Sequence, residues 1–563
     1  MIKCFFFFSV FFCATLTINA QKAIKPNYHP PLKIPLILAS NFGELRPNHF
    51  HMGIDIKTKG KTGFRLYSIE DGFVSRIKVS PFGYGNVIYI DHPNGITSVY
   101  AHCLEFNEAI DSIVKSFQSK SEKFEVDLHF LKGDIPLKRG QIIGFSGNSG
   151  GSTAPHLHFE LRNTESEHAL NPLLFGFDIE DHQRPEIRGV KVYGLTKDGY
   201  RIKNRSLKRV VERGKTTNSI SGEVIRIPFN YLSKTGGIGF AFDVIDRLDG
   251  ASNKCGLYGS YLIIDGDTIF GQKTERVPFA STRYVNSHKD FQEYAILKKK
   301  FHKAFRTKEN PLPIYINDNL GVFKPVPDKK YKVKYVAFDV KMNTSILEFD
   351  FIVEKGNLVK LLPEIKDSSL LIPSETKLVI NGDVRVEFGR STTYEPLSIS
   401  QKLIGSKIGV ASVPVQNVYK IIINRKVVQD GSHYLKMTTA KGKTRFVNVM
   451  YDRDMLVFEP KYFGNYTLAR DTISPVITPI QFSKNSTVLN GEKLQWTIRD
   501  NATGIDDYDL FIDGKWVLLE YDGKKNRFTY RRKPSFKGVK SIRLVAFDSC
   551  GNRQEWKTKL EFK

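Results

Sequence analysis

Two short histidine motifs contain the residue types that bind a metal ion. His51 and Asp55 form one motif, His-x-x-x-Asp, and His156 and His158 form a second, His-x-His. Two imidazoles and one carboxylate with an open fourth position are the ligand set of a catalytic zinc site. The two motifs contain one histidine more than this set requires. An ion held in this way lowers the pKa of its water towards neutrality and so creates a nucleophile. The motifs therefore indicate hydrolytic chemistry.

The second motif lies in a predicted strand. Polar and apolar residues alternate through Pro155–Leu161, which is typical of a half-buried strand. His156 and His158 then share one face, about 6.6 Å apart along the chain. One of these imidazoles can bind the metal while the other reaches the ion's water as a general base.

The first motif requires a bend. On a flat strand His51 and Asp55 would lie roughly 13 Å apart, too far to share an ion that binds each ligand at about 2 Å. We therefore expect the chain to bend between them, and Gly53 to permit that bend. A further histidine, His102, ends the apolar stretch from Val87 and could supply a second base or a donor to a developing oxyanion.

Each motif alone is weak, because both spacings also occur by chance or on solvated strands. Cys103, beside His102, is most simply a buried thiol, and the other histidines are most simply surface or core residues. His49 is of interest because it precedes His51 so closely. The interpretation as a metal site rests on the two motifs occurring together.

The joint pattern resembles the lysostaphin/LytM-type zinc metallopeptidases over about residues 38–175. The resemblance rests on ordered blocks: Asn41–Arg46, His51–Asp55, Asp71–Val74, Gly83–Ile88, Tyr100–His102, Gly140–Gly144, Gly147–Gly150 and Pro155–Glu160. It implies a compact, mostly antiparallel β-sheet with the site in a groove, and the short peptides of bacterial peptidoglycan as substrate.

The resemblance also implies a role for each site residue. It makes His51, Asp55 and His158 the ligands of a Zn²⁺ ion, and His102 and His156 the catalytic pair. The chain departs from the family between Leu104 and Lys138, where a short turn is usual. Residues 109–117 have helical spacing and residues 124–130 alternate like a strand, so this insertion is either a lid over the groove or an excursion without a role in the site.

Residues 1–20 are typical of a secretory signal. Lys3 provides the positive start, and a short apolar core precedes a small residue, Ala20. The core is too short to span a bilayer comfortably, and no later stretch is typical of a membrane span. We expect an exported protein of the periplasm or cell envelope, soluble or held only by an uncleaved signal. Cys103, Cys255 and Cys550 then remain, which predicts no disulfide framework.

The chain is strongly basic. Its formal net charge is +25, or +24 without Lys3, the only charge in the signal. Such a surface would attract polyanions, which for an exported protein are anionic envelope polymers, although plain solvation explains most of the lysines. Nucleic acid is disfavoured, because no basic stripe with stacking aromatics stands out.

The remaining sequence predicts several β-rich units in a mainly β protein. Asp181–Ile187 recurs as Asp471–Ile477, Leu262–Gly266 as Leu510–Gly514, and Val336–Asp339 as Val545–Asp548. These blocks are typical of immunoglobulin-like β-sandwiches. The predicted division is a signal at 1–20, a peptidase domain at 21–185 with the insertion 104–138, a β-sandwich at 186–355 with a basic helical insertion from Asp290 to Thr307, a β-rich unit at 356–470 and a β-sandwich at 471–563.

The sequence favours an active zinc endopeptidase over two alternatives. One alternative is a catalytically silent family member that binds or activates an envelope partner, and the other is an adaptor dominated by its β-modules. A silent member normally loses a ligand or a catalytic histidine, whereas all five positions are filled here. Because every site block precedes residue 161, we also expect a chain ending near Pro185 to keep its metal.

Overall fold

The computed structural model describes most of the chain, in the ranges 27–214, 217–220, 222, 224–232, 235–316, 319–355, 370–399, 407–408, 413–438, 442, 444–482, 487–488, 493–532 and 537–562. The predicted signal, residues 1–20, lies outside these ranges. Within them, no helix is both long and apolar enough to cross a membrane. The described cysteines, Cys103, Cys255 and Cys550, are free thiols.

The protein is mainly β, as predicted. The first group of elements comprises β1 (Leu38–Ser40), β2 (Leu45–Arg46), β3 (His49–Phe50), β4 (Ile54–Lys57), β5 (Arg65–Tyr67), β6 (Gly72–Val79), β7 (Asn86–Asp91), β8 (Ile96–Cys103), β9 (Glu105–Phe106), α1 (Glu108–Ser121), β10 (Val126–His129), β11 (Pro136–Leu137), β12 (Ile142–Phe145), β13 (His156–Asn163) and β14 (Ala169–Leu170), followed by a 3-10 turn at Pro172–Leu174.

An antiparallel sheet in the order β1-β4-β13-β8-β7-β6-β10 organises this first group. β13 is central and almost wholly buried, since its apolar residues Leu157, Phe159 and Leu161 belong to the main core. In the register of the sheet, His158 lies opposite Asp55 of β4 on one side and opposite Ala101 of β8 on the other. Strand pairing therefore brings the two histidine motifs together.

The insertion 104–138 forms the predicted helix and strand. α1 is capped by Asn107, whose side chain accepts from the amide of Ile110, and it buries Ile110 and Val114 in the main core. β10 pairs with β6 at the edge of the sheet, with β8, β7 and β6 between it and β13. The insertion thus extends the sheet at the edge remote from β4 and β13, which argues against a lid over the histidines.

The second group packs as a separate β-layered core. It comprises β15 (Glu186–Leu195), β16 (Arg201–Glu212), β17 (Thr217–Ile220), β18 (Val224–Pro228), β19 (Gly237–Ile245), β20 (Gly259–Ile264), β21 (Asp267–Lys273), β22 (Arg276–Val277), α2 (Val285–His288), α3 (Phe291–Leu297), β23 (Phe301–Lys303), β24 (Lys330–Phe338) and β25 (Thr344–Glu354), with 3-10 turns at Phe229–Tyr231 and Phe279–Tyr284.

The predicted helical insertion from Asp290 is only partly helical. Asp290 caps α3 by accepting from the amides of Gln292 and Glu293, but α3 ends at Leu297 and the chain continues as β23, which pairs with β19. A second departure concerns β22, which pairs with β14 and so joins the sheet of the first group. The two groups are therefore not independent bodies.

Two further groups complete the described chain. The third comprises β26 (Leu370–Leu371), β27 (Lys377–Asn381), β28 (Val384–Phe388), β29 (Leu397–Ser398), β30 (Lys407–Ile408), β31 (Lys420–Asn424), β32 (His433–Thr438), β33 (Thr444–Asn448), β34 (Met450–Asp452), β35 (Met455–Phe458) and β36 (Gly464–Arg470). The fourth comprises β37 (Val476–Ile480), β38 (Thr487–Val488), β39 (Lys493–Arg499), β40 (Ile505–Ile512), β41 (Lys515–Val517), β42 (Glu520–Asp522), β43 (Arg527–Arg531), β44 (Gly538–Asp548) and β45 (Arg553–Phe562).

The fourth group consists of two facing sheets, β37-β39-β43-β42 and β38-β45-β44-β40-β41. Trp496 of one sheet and Trp556 of the other meet edge to face in its core, with ring centroids 6.0 Å apart. This group also touches the first: Lys123 pairs with Asp507 at 2.7 Å, and Lys524 donates to the carbonyl of Asn148. Each group has a hydrophobic core of its own.

Candidate metal centre

His51, Asp55 and His158 place one ligand atom each around a common point. His51 Nε2 lies 3.0 Å from Asp55 Oδ1 and 3.1 Å from His158 Nδ1, and His158 Nδ1 lies 2.8 Å from Asp55 Oδ1. All three residues are buried. Ligand atoms that bind one ion tetrahedrally at about 2.0–2.1 Å are separated by about 3.4 Å. The triangle therefore has nearly the dimensions that a four-coordinate metal site requires.

Outer hydrogen bonds fix how the two imidazoles face this point. His51 Nδ1 lies 2.8 Å from the carbonyl oxygen of Asn41, which only accepts, so Nδ1 carries the proton and Nε2 keeps its lone pair. His158 Nε2 lies 2.8 Å from the Glu160 carboxylate, so its Nδ1 faces inward in the same way. Two lone pairs and the Asp55 carboxylate thus converge, an arrangement that only a positive charge at the centre can stabilise.

The pKa values of these residues also reflect the need for a positive charge at the centre. Burial alone would raise the pKa of Asp55, but the neighbouring His51, His156 and His158 hold that pKa well below its ordinary value. Burial alone would lower the pKa of His158, but Asp55 and Glu160 raise it to about 9. In the metal-free protein a proton on His158 therefore supplies the positive charge, and a metal ion must displace it.

His156 and His102 lie beside this triangle. His156 Nδ1 is 2.8 Å from the carbonyl of Ala154, which leaves Nε2 with its lone pair 3.4 Å from Asp55 Oδ1. His102 Nδ1 is 2.9 Å from the carbonyl of Ser149, and its ring centroid is 4.9 Å from that of His156. The structure thus brings all five sequence-predicted residues together.

The two additional histidines differ from the triangle in exposure and backbone. The His156 side chain is 17% exposed, whereas that of His51 is 2% exposed, so solvent reaches the centre from the His156 side. His102 has a φ of +61°, the left-handed region that non-glycine residues rarely adopt. Burial, and then the charges of His158 and His156, lower the pKa of His102 to about 3, which keeps this ring neutral.

Two charged residues orient the ligands, although the sequence did not predict a role for either of them. Arg46 donates from Nη2 to Asp55 Oδ2 at 2.8 Å, so Asp55 offers only Oδ1 to the centre. Glu160 is fully buried; it accepts from Arg162 Nε at 2.8 Å and from the Tyr84 hydroxyl. Arg46 and Glu160 both lie inside the motif blocks of the sequence. This position was the only feature of the sequence that could have indicated their role.

Gly53 is required for a different reason than predicted. Its φ is not in the left-handed region, so the bend between His51 and Asp55 does not need glycine for its dihedral angles. A Cβ atom at Gly53 would instead lie 2.4 Å from the carbonyl oxygen of Phe159 and 2.8 Å from the Glu160 side chain. The glycine allows β13 to approach the turn that carries His51. The neighbouring His49 is exposed, and its ring contacts the carbonyl of Pro47.

The second group of elements supports the segment that carries His51. Asn41 exchanges two hydrogen bonds with the backbone of Gly256, at 2.7 and 2.9 Å. Lys300 pairs with Glu44 at 2.7 Å, and Lys289 donates to the carbonyl of Arg46 at 2.6 Å. A shared hydrophobic core joins the two groups, formed by Phe42, Leu45, Phe50, Met52, Ala169, Val277, Val285, Leu312 and Ile314.

These contacts change two expectations. A chain ending near Pro185 would lose four of the nine residues of the shared core, which argues against the expectation that it keeps an intact site. The lysine run 298–303, which contributes to the basic character of the sequence, is not simply displayed to solvent. Lys303 is 1% exposed and pairs with Glu395 at 2.6 Å, and Lys300 is held by Glu44.

The part of the chain that carries His51 and Asp55 is similar in sequence to known peptidases. Residues 49–119 match the model of Peptidase family M23. The DD-carboxypeptidase/endopeptidase Mpg of Neisseria meningitidis serogroup B is 33% identical over 112 residues, which are 20% of each chain. The glycyl-glycine endopeptidase ALE-1 of Staphylococcus capitis is 31% identical over 128 residues, 22% of this chain and 28% of that one.

Among solved structures, the catalytic domain of lysostaphin from Staphylococcus simulans is 26% identical, with a TM-score of 0.18, over 24% of this chain and 86% of that one. The chain spans only about a fifth to a quarter of the length of the curated relatives described above. The matched region nevertheless contains His51, Asp55 and His102 in the predicted sheet. Residues 49–119 of this chain are therefore similar to a peptidase domain of family M23.

Proposed function

We propose that the protein is an exported zinc metalloendopeptidase that hydrolyses peptide cross-links or stems of bacterial peptidoglycan. The observation that carries the proposal is the triangle of His51 Nε2, Asp55 Oδ1 and His158 Nδ1, whose sides are 2.8 to 3.1 Å. These three residues are the proposed ligands. Nitrogen and oxygen donors in a three-residue set suit Zn²⁺ and leave a position for substrate or water.

A bound zinc ion would act as a Lewis acid, which lowers the pKa of water and polarises a carbonyl group. The chain's own residues do the rest. His156 Nε2 bears a lone pair towards the centre, because its Nδ1 proton is directed to the Ala154 carbonyl. It is placed to accept a proton from the attacking water and to return it to the leaving amine. Its exposure gives the substrate access to this step.

His102 is the proposed second member of the catalytic pair. Its ring is held by the Ser149 carbonyl and by the left-handed backbone, and a strained conformation that persists at a site of this kind is typical of a functional constraint. From beside His156 its neutral Nε2, which bears the lone pair, can accept a hydrogen bond from the reacting water and so orient that water.

The substrate assignment rests on relatives. The Vibrio cholerae protein ShyB, named a peptidoglycan DD-endopeptidase, is 29% identical over 143 residues, and Mpg and ALE-1 are also named as endopeptidases. The predicted signal and the net charge of +25 suit an exported protein that works at anionic envelope polymers. We propose that the β-modules after residue 186 position the peptidase on this polymer.

Digestion of chemically defined peptidoglycan tests the proposal. The zinc-loaded full-length protein should release peptide fragments whose masses identify one cleaved bond, and His156→Ala should not. Mass spectrometry of the soluble products distinguishes the outcomes. Intact peptidoglycan after treatment with a fully zinc-loaded protein would favour the alternative, a catalytically silent member that binds or activates an envelope partner.

A further inference from the structure

A second group of carboxylates lies away from the histidines, at the start of the second group of elements. Asp181 stands in the segment before β15, Asp246 directly follows β19, and Asp339 directly follows β24. One carboxylate oxygen of each lies within 4.8 Å of those of the other two. Asp181 is 9% exposed, and Asp246 and Asp339 are each 2% exposed. Three carboxyl groups are thus enclosed together.

This cluster contains an unsatisfied acceptor. Among the described residues, Asp246 Oδ1 is buried and has no hydrogen-bond partner. The other two carboxylates have partners outside the cluster: Asp339 accepts from the amide of Asn343 at 2.9 Å and from its side chain at 2.7 Å, and Asp181 accepts from the amide of Gln183 at 3.2 Å. An unpaired buried carboxylate oxygen is costly, so the site lacks a positive group that would satisfy it.

The last β-sandwich contains a similar arrangement, in which Asp500 Oδ1 is likewise buried and, among the described residues, without a hydrogen-bond partner. Asp471, Asp500 and Asp548 also place ligand atoms within 4.8 Å, and Asn552 binds Asp548 just as Asn343 binds Asp339. There, however, Asp500 Oδ2 accepts from the amides of a turn that folds back on it, at 2.8 to 2.9 Å: Ala502, Thr503 and Gly504.

The corresponding segment of the earlier unit follows another path. After Asp246 the chain passes Gly250, which packs against Ile37 of the peptidase domain, and returns to pair with Asp246 only through the backbone of Cys255. Protein donors therefore satisfy the later cluster to a greater extent than the earlier one. Each cluster keeps three carboxylates and one buried oxygen without a partner in the described part of the chain, and the earlier cluster differs in having, within that part, no turn amides comparable to those that donate to Asp500 Oδ2.

We propose that Asp181, Asp246 and Asp339 form a binding site for a hard divalent cation, with Ca²⁺ as the best candidate. Carboxylate oxygens are the donors that Ca²⁺ prefers, and its flexible coordination can be completed by water and backbone carbonyls. The set offers neither the imidazole nor the thiolate that zinc or copper would favour. This inference is independent of the proposed peptidase activity.

The site joins three separate parts of the chain. Asp181 belongs to the connection between the peptidase domain and the β-sandwich, and Asp246 and Asp339 end two strands of that sandwich. The side chain of Asn343 also holds this connection, by donating to the carbonyl of Asp181 at 3.0 Å. Bound Ca²⁺ would therefore fix the connection to the sandwich and stiffen the junction next to the segment that supports His51.

Calcium titration of the full-length protein, followed by calorimetry, tests the site. The wild type should bind Ca²⁺ with a Kd in or below the range of about 10⁻⁴ to 10⁻³ M that is typical of extracellular modules. Asp246→Asn should weaken this binding at least about tenfold, because a charged ligand is lost. Asp249→Asn is the matched control: this neighbouring carboxylate pairs with His182 at 2.6 Å outside the cluster, and the variant should bind as the wild type does.

A second variant and a second measurement complete the test. Asp246→Asn replaces a carboxylate that has one unsatisfied oxygen by an amide of the same shape, so it should fold, and its Tm should no longer rise when Ca²⁺ is added. Asp500→Asn removes a charge from the later cluster and should keep the binding that Asp246→Asn loses. A wild type that binds no Ca²⁺, or binding that Asp500→Asn abolishes while Asp246→Asn retains it, would overturn the proposal.

Discussion

Glu160 accepts the Nε2 proton of His158 at 2.8 Å, and this one contact turns the opposite nitrogen of the ring towards Asp55. Glu160 is itself fully buried and is held by Arg162 through Nε at 2.8 Å and Nη2 at 2.6 Å. The ligand geometry therefore depends on a chain of charges behind the ring. Partners of this kind fix the tautomer and raise the basicity of a metal ligand.

Glu160→Gln should weaken zinc binding about 10- to 100-fold, the typical effect of losing such a partner. The substitution also leaves the buried Arg162 without its counter-charge, so the Tm should fall. Competition with a chelator measures the affinity, and Glu165→Gln, at an exposed position nearby, is the control. Equal zinc affinity in the wild type and Glu160→Gln would show that the tautomer does not depend on this carboxylate.

Gly53→Ala should destabilise the protein by about 1–3 kcal/mol, because the new methyl group would overlap the Phe159 carbonyl and neither β13 nor the turn can move without disturbing the ligands. Denaturant unfolding measures the loss. Gly389→Ala is the matched control, since a Cβ there meets nothing within 4 Å and its φ is ordinary. A Gly53→Ala protein as stable as Gly389→Ala would contradict the close packing described.

His156→Ala and His102→Ala should keep their zinc and lose hydrolysis about 10²–10⁴-fold, since neither is a proposed ligand and each acts on the reacting water. Rates on a soluble peptidoglycan peptide, normalised to the zinc content of each sample, make the comparison. Normal turnover by either variant would remove that histidine from the mechanism.

The carboxylate cluster should make stability depend on pH when calcium is absent. Burial, and then the charges of the neighbouring carboxylates, raise the pKa of Asp181 to about 7 and that of Asp246 to about 8, above the unfolded value of 3.8. A raised carboxyl pKa favours the folded state at low pH, and this advantage disappears as pH rises through the folded pKa. The free energy of unfolding should therefore decline between about pH 4 and pH 8. Added Ca²⁺ should flatten this decline, and an unchanged slope in Ca²⁺ would count against the site.

The residues that the structure brings together at the centre could be identified in the sequence because their signals are local. Alternation identified the strand that carries His156 and His158, and the helical spacing of residues 109–117 lies within α1. The pairing of Asp55 with His158 follows from strand register, which the structure shows and which was not predicted from the sequence.

Contacts between segments that are distant in the sequence cannot be predicted from local patterns of this kind. Nothing in the alternation of residues 38–52 indicates that Gly256 will bind Asn41, or that β22 will extend the peptidase sheet through β14. The role of Gly53 was predicted from its freedom of backbone rotation, whereas the structure uses its lack of a side chain. The loss of the turn donors around Asp246 likewise depends on where the loop to Cys255 packs, which is a tertiary property.

Zinc analysis of His158→Ala beside the wild type and His156→Ala tests the central assignment most directly. The two proteins that retain the ligands His51, Asp55 and His158 should each hold one zinc ion per chain. His158→Ala should lose most of its zinc, because two ligands hold a catalytic ion poorly. A His158→Ala protein with one full equivalent of zinc would contradict the account.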